Sequence, residues 1–427
     1  MGKIEQAWLT NPSRRNALAR MAALVAGSPI AAAMAQIDPK PLYDHRRQLS
    51  LAEMQTAFDF EPVFFGNVTQ AVYDYTAHGD GSEFNLRRNR QAFDWVDILA
   101  ARNPVPASQV DLSSTVLGVN SKFPIWLAPT AQMVALHPDG ETGMFRAATA
   151  ASNTLMMLSI NTGTPIGQVR PAVPEGTLWA QYYPQNDLAI TQRSIDVLQN
   201  AGAPGIIVTV DQQSSYYERT LQVRNLGGRG APLGGRGGAG GRGAIGGNDP
   251  GATGQVAPPP APALTGAARY RIGGGRIWYN WPYIDAVRKM VKGPMLIKGI
   301  LEADDARLAI EHGADAIIVS NHGGRSMDYG PSSLEVMPEI AAAVNGRIPI
   351  LFDSGIRRGA DCFKALALGA DIVCLGRASR WGLAAFGVPG AQRVIEMIQQ
   401  ELVQAAAAAG CARRSDINKS KVRANFV

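Results

Sequence analysis

Apolar runs recur along this chain at 123–131 (FPIWLAPTA), 154–160 (TLMMLSI), 178–183 (LWAQYY), 205–211 (GIIVTVD), 294–300 (PMLIKGI), 316–321 (AIIVSN), 348–355 (IPILFDSG) and 371–377 (DIVCLGR). They are short, rich in branched residues and lack a polar face, which predicts strands buried on both sides of a parallel sheet. Most are separated by segments of helical periodicity, such as 302–314 (EADDARLAIEHGA) and 358–370 (RGADCFKALALGA), each closing on a Gly-Ala pair that stops a helix before the next strand. Eight strand and helix repeats predict an α/β fold, a closed (β/α)8 TIM barrel rather than an open doubly wound sheet. Residues 45–100 read as helical ahead of the barrel and 391–410 as a closing helix. The domain plan is therefore a helical segment over 36–110 packing on the barrel, the barrel over 111–410 and a tail over 411–427.

One long segment breaks the repeat. Between the fourth and fifth strands, residues 226–268 are dominated by Gly, Pro and Ala (LGGRGAPLGGRGGAGGRGAIGG and onward). Such a composition cannot bury enough apolar surface to offset its ordering entropy, which predicts a mobile insertion. Its RGG-like repeats are an RNA-binding composition, an unlikely role for an exported chain, and export is what the amino terminus suggests. Residues 13–35 (SRRNALARMAALVAGSPIAAAMA) set an arginine pair ahead of a weakly hydrophobic, Ala-rich stretch ending in A-x-A. This resembles a twin-arginine export signal, which makes 1–35 a leader and places the mature protein in the periplasm or cell envelope. Arg20 and Pro29 leave too short an apolar run for a membrane anchor.

The leader also changes the meaning of the charge. Of the formal net charge of +6, residues 1–35 hold Lys3, Arg14, Arg15 and Arg20 against Glu5, so half of it leaves with the leader and the basic pI does not argue for nucleic acid. With 427 residues and 46% hydrophobic content the chain can bury a full barrel core. Three cysteines make no disulfide framework, and His45, His78, His137 and His312 show no spacing that suggests a metal site.

Chemistry enters at SNHGGR (320–325), directly after the apolar run AIIV. The strand throws His322 and Arg325 onto the loop at its C-terminal end, where TIM-barrel chemistry sits. A general base beside a fixed cation suits a site that binds a carboxylate and removes a neighbouring proton. The other strand ends offer Thr130, Ser159, Gln181, Tyr183, Thr209, Asp211, Lys298, Asp353, Arg357 and Arg377 to the same face.

With these residues in place the chain resembles the FMN-dependent L-2-hydroxy-acid oxidase and dehydrogenase family. The matching pieces run in order: VYDYTAHG (72–79), APTA with HPDGE (128–131, 137–141), TVD (209–211), LIKG (296–299), SNHGGRSMD (320–328), DSGIRRGAD (353–361) and KALALGAD with LGR (364–371, 375–377). The resemblance implies that FMN is the cofactor and that His322 takes the proton released on substrate oxidation, with Asp211 stabilising the imidazolium. It implies Arg325 and Arg219 as a carboxylate clamp, with Tyr75 and Tyr183 donating to carboxylate and hydroxyl. Ala128, Pro129, Thr130, Ala131, Ser159, Gln181, Thr209 and Ser320 would contact the flavin, and Lys298 its pyrimidine edge. Gly355, Arg357, Gly376 and Arg377 would hold its phosphate and Asp353 its ribityl chain.

Several positions depart from the family pattern. The stretch 211–225 is one residue longer than the usual spacing, which leaves Arg224 as the alternative to Arg219. SMD stands for QLD, DSG for DGG, and Asn161 for a large aromatic of glycolate oxidase, which argues against short-chain glycolate specificity. The implied partners are a 2-hydroxy acid and oxygen, a quinone or a cytochrome as electron acceptor, in a homotetramer or homo-octamer. The insertion lacks bulky apolar residues, so loose membrane-surface contact through Arg229, Arg236 and Arg242 replaces insertion as the expectation. The alternatives are a flavin barrel of another reaction, such as a lactate monooxygenase or an isomerase, and a non-catalytic flavin-binding envelope protein.

Overall fold

The computed structural model describes residues 49–185, 187–211 and 280–426. The chain divides into two compact units, 1–50 and 51–427, and every element below lies in the second. Helices α1 (Phe60–Asn67), α2 (Gln70–Ala77) and α3 (Phe84–Asp94) precede the barrel, followed by the short strand β1 (Val96–Ile98). The Thr69 hydroxyl caps α2 by accepting from the Val72 N–H. A hairpin, β2 (Ser114–Val116) and β3 (Val119–Ser121), leads into the first barrel strand.

The barrel strands are β4 (Ile125–Thr130), β5 (Met156–Ser159), β6 (Leu178–Tyr182), β7 (Ile206–Thr209), β8 (Met295–Ile300), β9 (Ala316–Val319), β10 (Ile350–Phe352) and β11 (Ile372–Leu375). They pair in parallel in chain order, and β11 pairs with β4 to close the cylinder. All eight apolar runs are therefore barrel strands. Their polar flanks belong to the loops. The described helices between and after them are α4 (Gly140–Ala150), α5 (Ile166–Val169), α6 (Leu188–Asn200), α7 (Trp281–Met290), α8 (Ala303–Glu311), α9 (Ser333–Val344), α10 (Gly359–Ala367) and α11 (Arg377–Ala408). The expected closing helix is thus the distal part of α11, which bends at Phe386 and Gly387 just before Pro389. After α11, residues 411–426 fold back, and β12 (Val422–Ala424) pairs antiparallel with β1.

The interior follows the two-residue period of the strands. Trp126, Ala128, Leu155, Met157, Trp179, Ile207, Leu296, Ala316, Ile318, Leu351, Ile372 and Cys374 form one buried cluster drawn from or next to all eight strands, which in a closed cylinder is its interior. The hairpin adds Val116, Leu117 and Val119 at the bottom. One more step of two along each strand, toward its C-terminal end, reaches Thr130, Ser159, Gln181, Thr209, Lys298, Ser320, Asp353 and Gly376. The apolar interior therefore ends in a polar upper layer, and that change of character is what positions a site.

Candidate active site

The ends of four successive strands supply the charged core of the site. Asp211 follows β7, Lys298 lies on β8, His322 follows β9 and Asp353 follows β10. His322 Nδ1 meets Asp211 Oδ1 at 2.6 Å, and Lys298 Nζ donates to Asp211 Oδ2 at 3.0 Å. The ammonium also lies 3.8 Å from Asp353 Oδ2 and 3.5 Å from His322 Nδ1. An ionised carboxylate only accepts hydrogen bonds, so the network assigns the proton to Nδ1 and leaves the Nε2 lone pair as the basic one. The approach depends on Gly299, at φ +113°, where a Cβ would lie 2.5 Å from the Cβ of Asp211.

Burial and neighbouring charge set the protonation states. Burial alone would push the Asp211 carboxyl up, but the charges of His322 and Lys298 outweigh it and hold it down to about 2. For Lys298, burial opposes the ammonium while Asp211 and Asp353 more than restore it, so the cation is raised above its ordinary value. Burial pulls the His322 imidazole below its ordinary value, with Asp211 only partly opposing and the Lys298 and Arg325 charges adding to the fall. Above its lowered value the imidazole is neutral on an ionised carboxylate beside a cation, the state a general base requires, and only in acid does its own charge join that of Lys298 in holding Asp211 down.

Around this core, Tyr183 lies with its ring nearly parallel to His322, the centroids 6.5 Å apart and the planes at 22°. Arg325 Nη1 donates to the Tyr75 carbonyl at 3.0 Å, and its guanidinium carbon lies 4.8 Å from the centre of the Tyr75 ring. Helix α2 and the β9 loop are thereby brought together. The upper layer of the barrel contributes Ser159, whose hydroxyl donates to Gln181 Oε1 at 3.2 Å. Gln181 Nε2 and Thr209 Oγ1 are buried with no hydrogen-bond partner among the described residues. Buried polar atoms are almost always paired, so two such atoms in one layer are placed to meet a polar ligand.

Half-buried Arg377 and buried Arg357 form a second cationic group. Arg377 donates from Nε to Thr76 O at 2.7 Å, from Nη1 to Gly323 O at 2.8 Å and from Nη2 to His78 O at 2.7 Å, which leaves two of its five N–H groups for any ligand. Arg357 lies over the Trp381 ring at 4.5 Å and donates to Ile356 O. Burial, reinforced by the other guanidiniums, pushes Arg377 well below the usual arginine range, and Arg357 falls to about 10. Such a group favours an anion.

Two further residues shape this region. Arg380 is buried and bonds the Thr76 hydroxyl at 2.9 Å and the Ala131 carbonyl, with its guanidinium 5.8 Å from the Tyr75 ring. Its signal was the spacing of three from Arg377, which puts both on one helix face. Ser354, which stands where the family pattern DGG has glycine, accepts from the Gly323 N–H in the β9 loop at 3.0 Å. Nothing in the spacing of the chain pairs Lys298 with Asp211, 87 residues away. Arg219, Arg224 and the rest of 212–279, with the Gly/Pro-rich insertion, lie outside the described residues, as does the segment 1–35 expected to be a leader.

The polar end of a closed parallel barrel thus gathers an imidazole, two carboxylates and a group of cations. The chain belongs to the FMN-dependent dehydrogenase family, whose model matches residues 66–424. It is 34% identical over 375 residues to glycolate oxidase 3 of Arabidopsis thaliana, covering 88% of this chain and 97% of that one. It is 34% identical over 372 residues to an L-lactate oxidase of a Nostoc species, covering 85% and 96%. Among solved structures, mandelate oxidase with (S)-2-phenylpropionate superposes with a TM-score of 0.72 at 27% identity, covering 87% of this chain and 99% of that one.

The cofactor is accordingly FMN, and the residues present suit it. The Gln181 amide and the Thr209 hydroxyl offer unsatisfied donors to the polar edge of a flat ring. Beyond β11, a Cβ on Gly376 would meet only the Thr130 methyl, at 3.9 Å, so backbone there is open to a close neighbour.

Proposed function

We propose that this enzyme oxidises an L-2-hydroxy acid to the 2-oxo acid with His322 as general base. The observation that carries the reading is the Asp211–His322 pair beside Lys298, its carboxylate buried and its imidazole partly exposed, at the polar end of a barrel that suits FMN. FMN when bound supplies the two-electron acceptor. Gln181, Thr209, Ser159, Thr130 and the backbone of Ala128, Pro129 and Ala131 would hold its ring, with Ser320 and Asp353 nearby. Arg357, Arg377 and the backbone of Gly355 and Gly376 would hold its phosphate.

The chain's own work is then positional and electrostatic. Arg325, with Arg219 or Arg224 as a second cation, fixes the substrate carboxylate, a task suited to planar guanidinium forks. Tyr75 and Tyr183 donate to the carboxylate and hydroxyl. His322 Nε2 accepts the proton as two electrons leave the substrate, and Asp211 balances the imidazolium charge. Flavin binding alone would require neither the base nor its carboxylate, which disfavours a non-catalytic role. Anaerobic mixing with a panel of L- and D-2-hydroxy acids is expected to bleach the flavin only with L-acids and to yield the 2-oxo acid. Bleaching by the D-series, or a decarboxylated product under air, would overturn this assignment. Reoxidation of the bleached enzyme should be rapid with oxygen, with a quinone or a cytochrome as the alternative outcomes.

The Arg14-Arg15 leader supports a site of action in the periplasm or envelope. A reporter fused to residues 1–40 should be exported, and Lys-Lys replacement of the arginine pair should stop it. Undiminished export of the replaced fusion would remove the twin-arginine route.

A further inference from the structure

Three consecutive residues after β9 are left-handed: His322 at φ +59°, Gly323 at +69° and Gly324 at +78°. A histidine in that region is disfavoured by its own Cβ, so something must hold the loop that aims the base. The structure contains such a hold. The His322 N–H donates to Ser320 Oγ at 3.0 Å, and the Gly323 N–H donates to Ser354 Oγ at 3.0 Å. Both hydroxyls in turn donate to one atom, Asp353 Oδ1, at 2.6 Å from Ser320 and 2.8 Å from Ser354. A hydroxyl has a single proton. Spending it on Asp353 turns the lone pairs of each serine toward the loop amides. The other oxygen of Asp353 faces the Lys298 ammonium, which ties the two serines to the same charged core as His322.

Ser354 is the costly member of the pair. It stands at φ +88°, in the region that only glycine occupies freely. Strain of this kind persists where surrounding interactions over-determine it, and it clusters at functional sites. We propose that Ser354 is a positioning residue for the catalytic loop: its hydroxyl latches the Gly323 amide to Asp353 and so fixes the His322 side chain against Asp211. This rests on His322 being the base.

The test uses full-length, FMN-loaded Ser354→Gly, Ser354→Ala and, as reference, His322→Gln. Limiting flavin reduction rates and substrate Kd come from anaerobic stopped flow, and thermal midpoints are measured with and without FMN. Loss of one hydrogen bond should slow limiting reduction by about threefold to tenfold in both serine variants, with substrate Kd moving less than the rate. The midpoints should nevertheless differ, because glycine relaxes the backbone at this φ and alanine does not. Equal rate loss at unequal stability is the signature of positioning. A Ser354→Gly rate within twofold of wild type while His322→Gln is inactive would overturn the latch alone. A rate loss that simply tracks the fall in midpoint would reduce Ser354 to a structural residue. Wild-type reduction by His322→Gln would remove the base, and the latch with it. Should Ser354→Ala fail to fold, the limiting rate and the two midpoints of Ser354→Gly decide the matter.

Discussion

His322→Gln is expected to slow flavin reduction by about a hundredfold to ten-thousandfold, the usual contribution of a positioned general base. Glutamine can still donate an amide proton toward Asp211, 2.6 Å from the present Nδ1, so the variant should fold and retain FMN. What it lacks is a lone pair of matching basicity. Stopped-flow reduction with the best L-acid, beside the flavin content of the purified variant, checks both halves. A rate within tenfold of wild type would take His322 out of the proton transfer. The wild-type pH profile should add a second sign. Because burial holds the imidazole below its ordinary 6.5, the neutral base persists into mildly acid solution, and the rate should fall only as pH drops through a value under 6.5.

Much of this site could be read from the chain because parallel strands buried on both faces are continuous apolar runs, and none of the eight was lost. Once they are numbered, Asp211, Lys298, His322 and Asp353 fall on four successive strand ends, so residues 111 apart, such as Asp211 and His322, become neighbours because β7, β8 and β9 pair side by side in chain order. The bonding within that group was not legible. A lysine on an apolar strand announces a buried cation needing a partner, yet the choice of Asp211 depends on how closely β7 and β8 approach at Gly299. Ser354 and Arg380 were hidden for different reasons. The left-handed backbone of Ser354 is hinted at only by the glycine that the family's DGG has there, and Arg380 belongs to a residue type that ordinarily faces water, so its burial is a tertiary property. The closing helix expected over 391–410 begins just past the bend at Gly387 and Pro389, whereas the first half of α11, from Arg377 to the bend, was not anticipated.

Lys298→Met should be the most destabilising single change among the site residues, and its pH dependence should identify the cause. Methionine fills similar volume, so packing is largely kept. The ammonium that lies 3.0 Å from Asp211 and 3.8 Å from Asp353 is lost, and two buried carboxylates are left without it. Removing one partner of a buried ion pair costs about 3–5 kcal/mol, because the remaining charge stays desolvated. In the wild type the Asp211 carboxyl is held down to about 2 from an ordinary 3.8, so its contribution to stability is complete above 3.8 and disappears as pH falls through about 2. In the variant that carboxyl rises, and protonation relieves the unpaired charge. The stability gap between the two proteins should therefore be widest near neutrality and narrow as pH falls from about 4 toward 2. Urea unfolding of the FMN-free proteins at pH 7 and at stepped acid values measures it. The same substitution removes a charge that lowers the His322 imidazole, so the acid limb of the reduction rate should move to higher pH in whatever variant protein retains FMN. Equal midpoints at pH 7 would mean that Asp211 and Asp353 do not depend on Lys298, and the charged core would have to be redrawn around the His322–Asp211 contact alone.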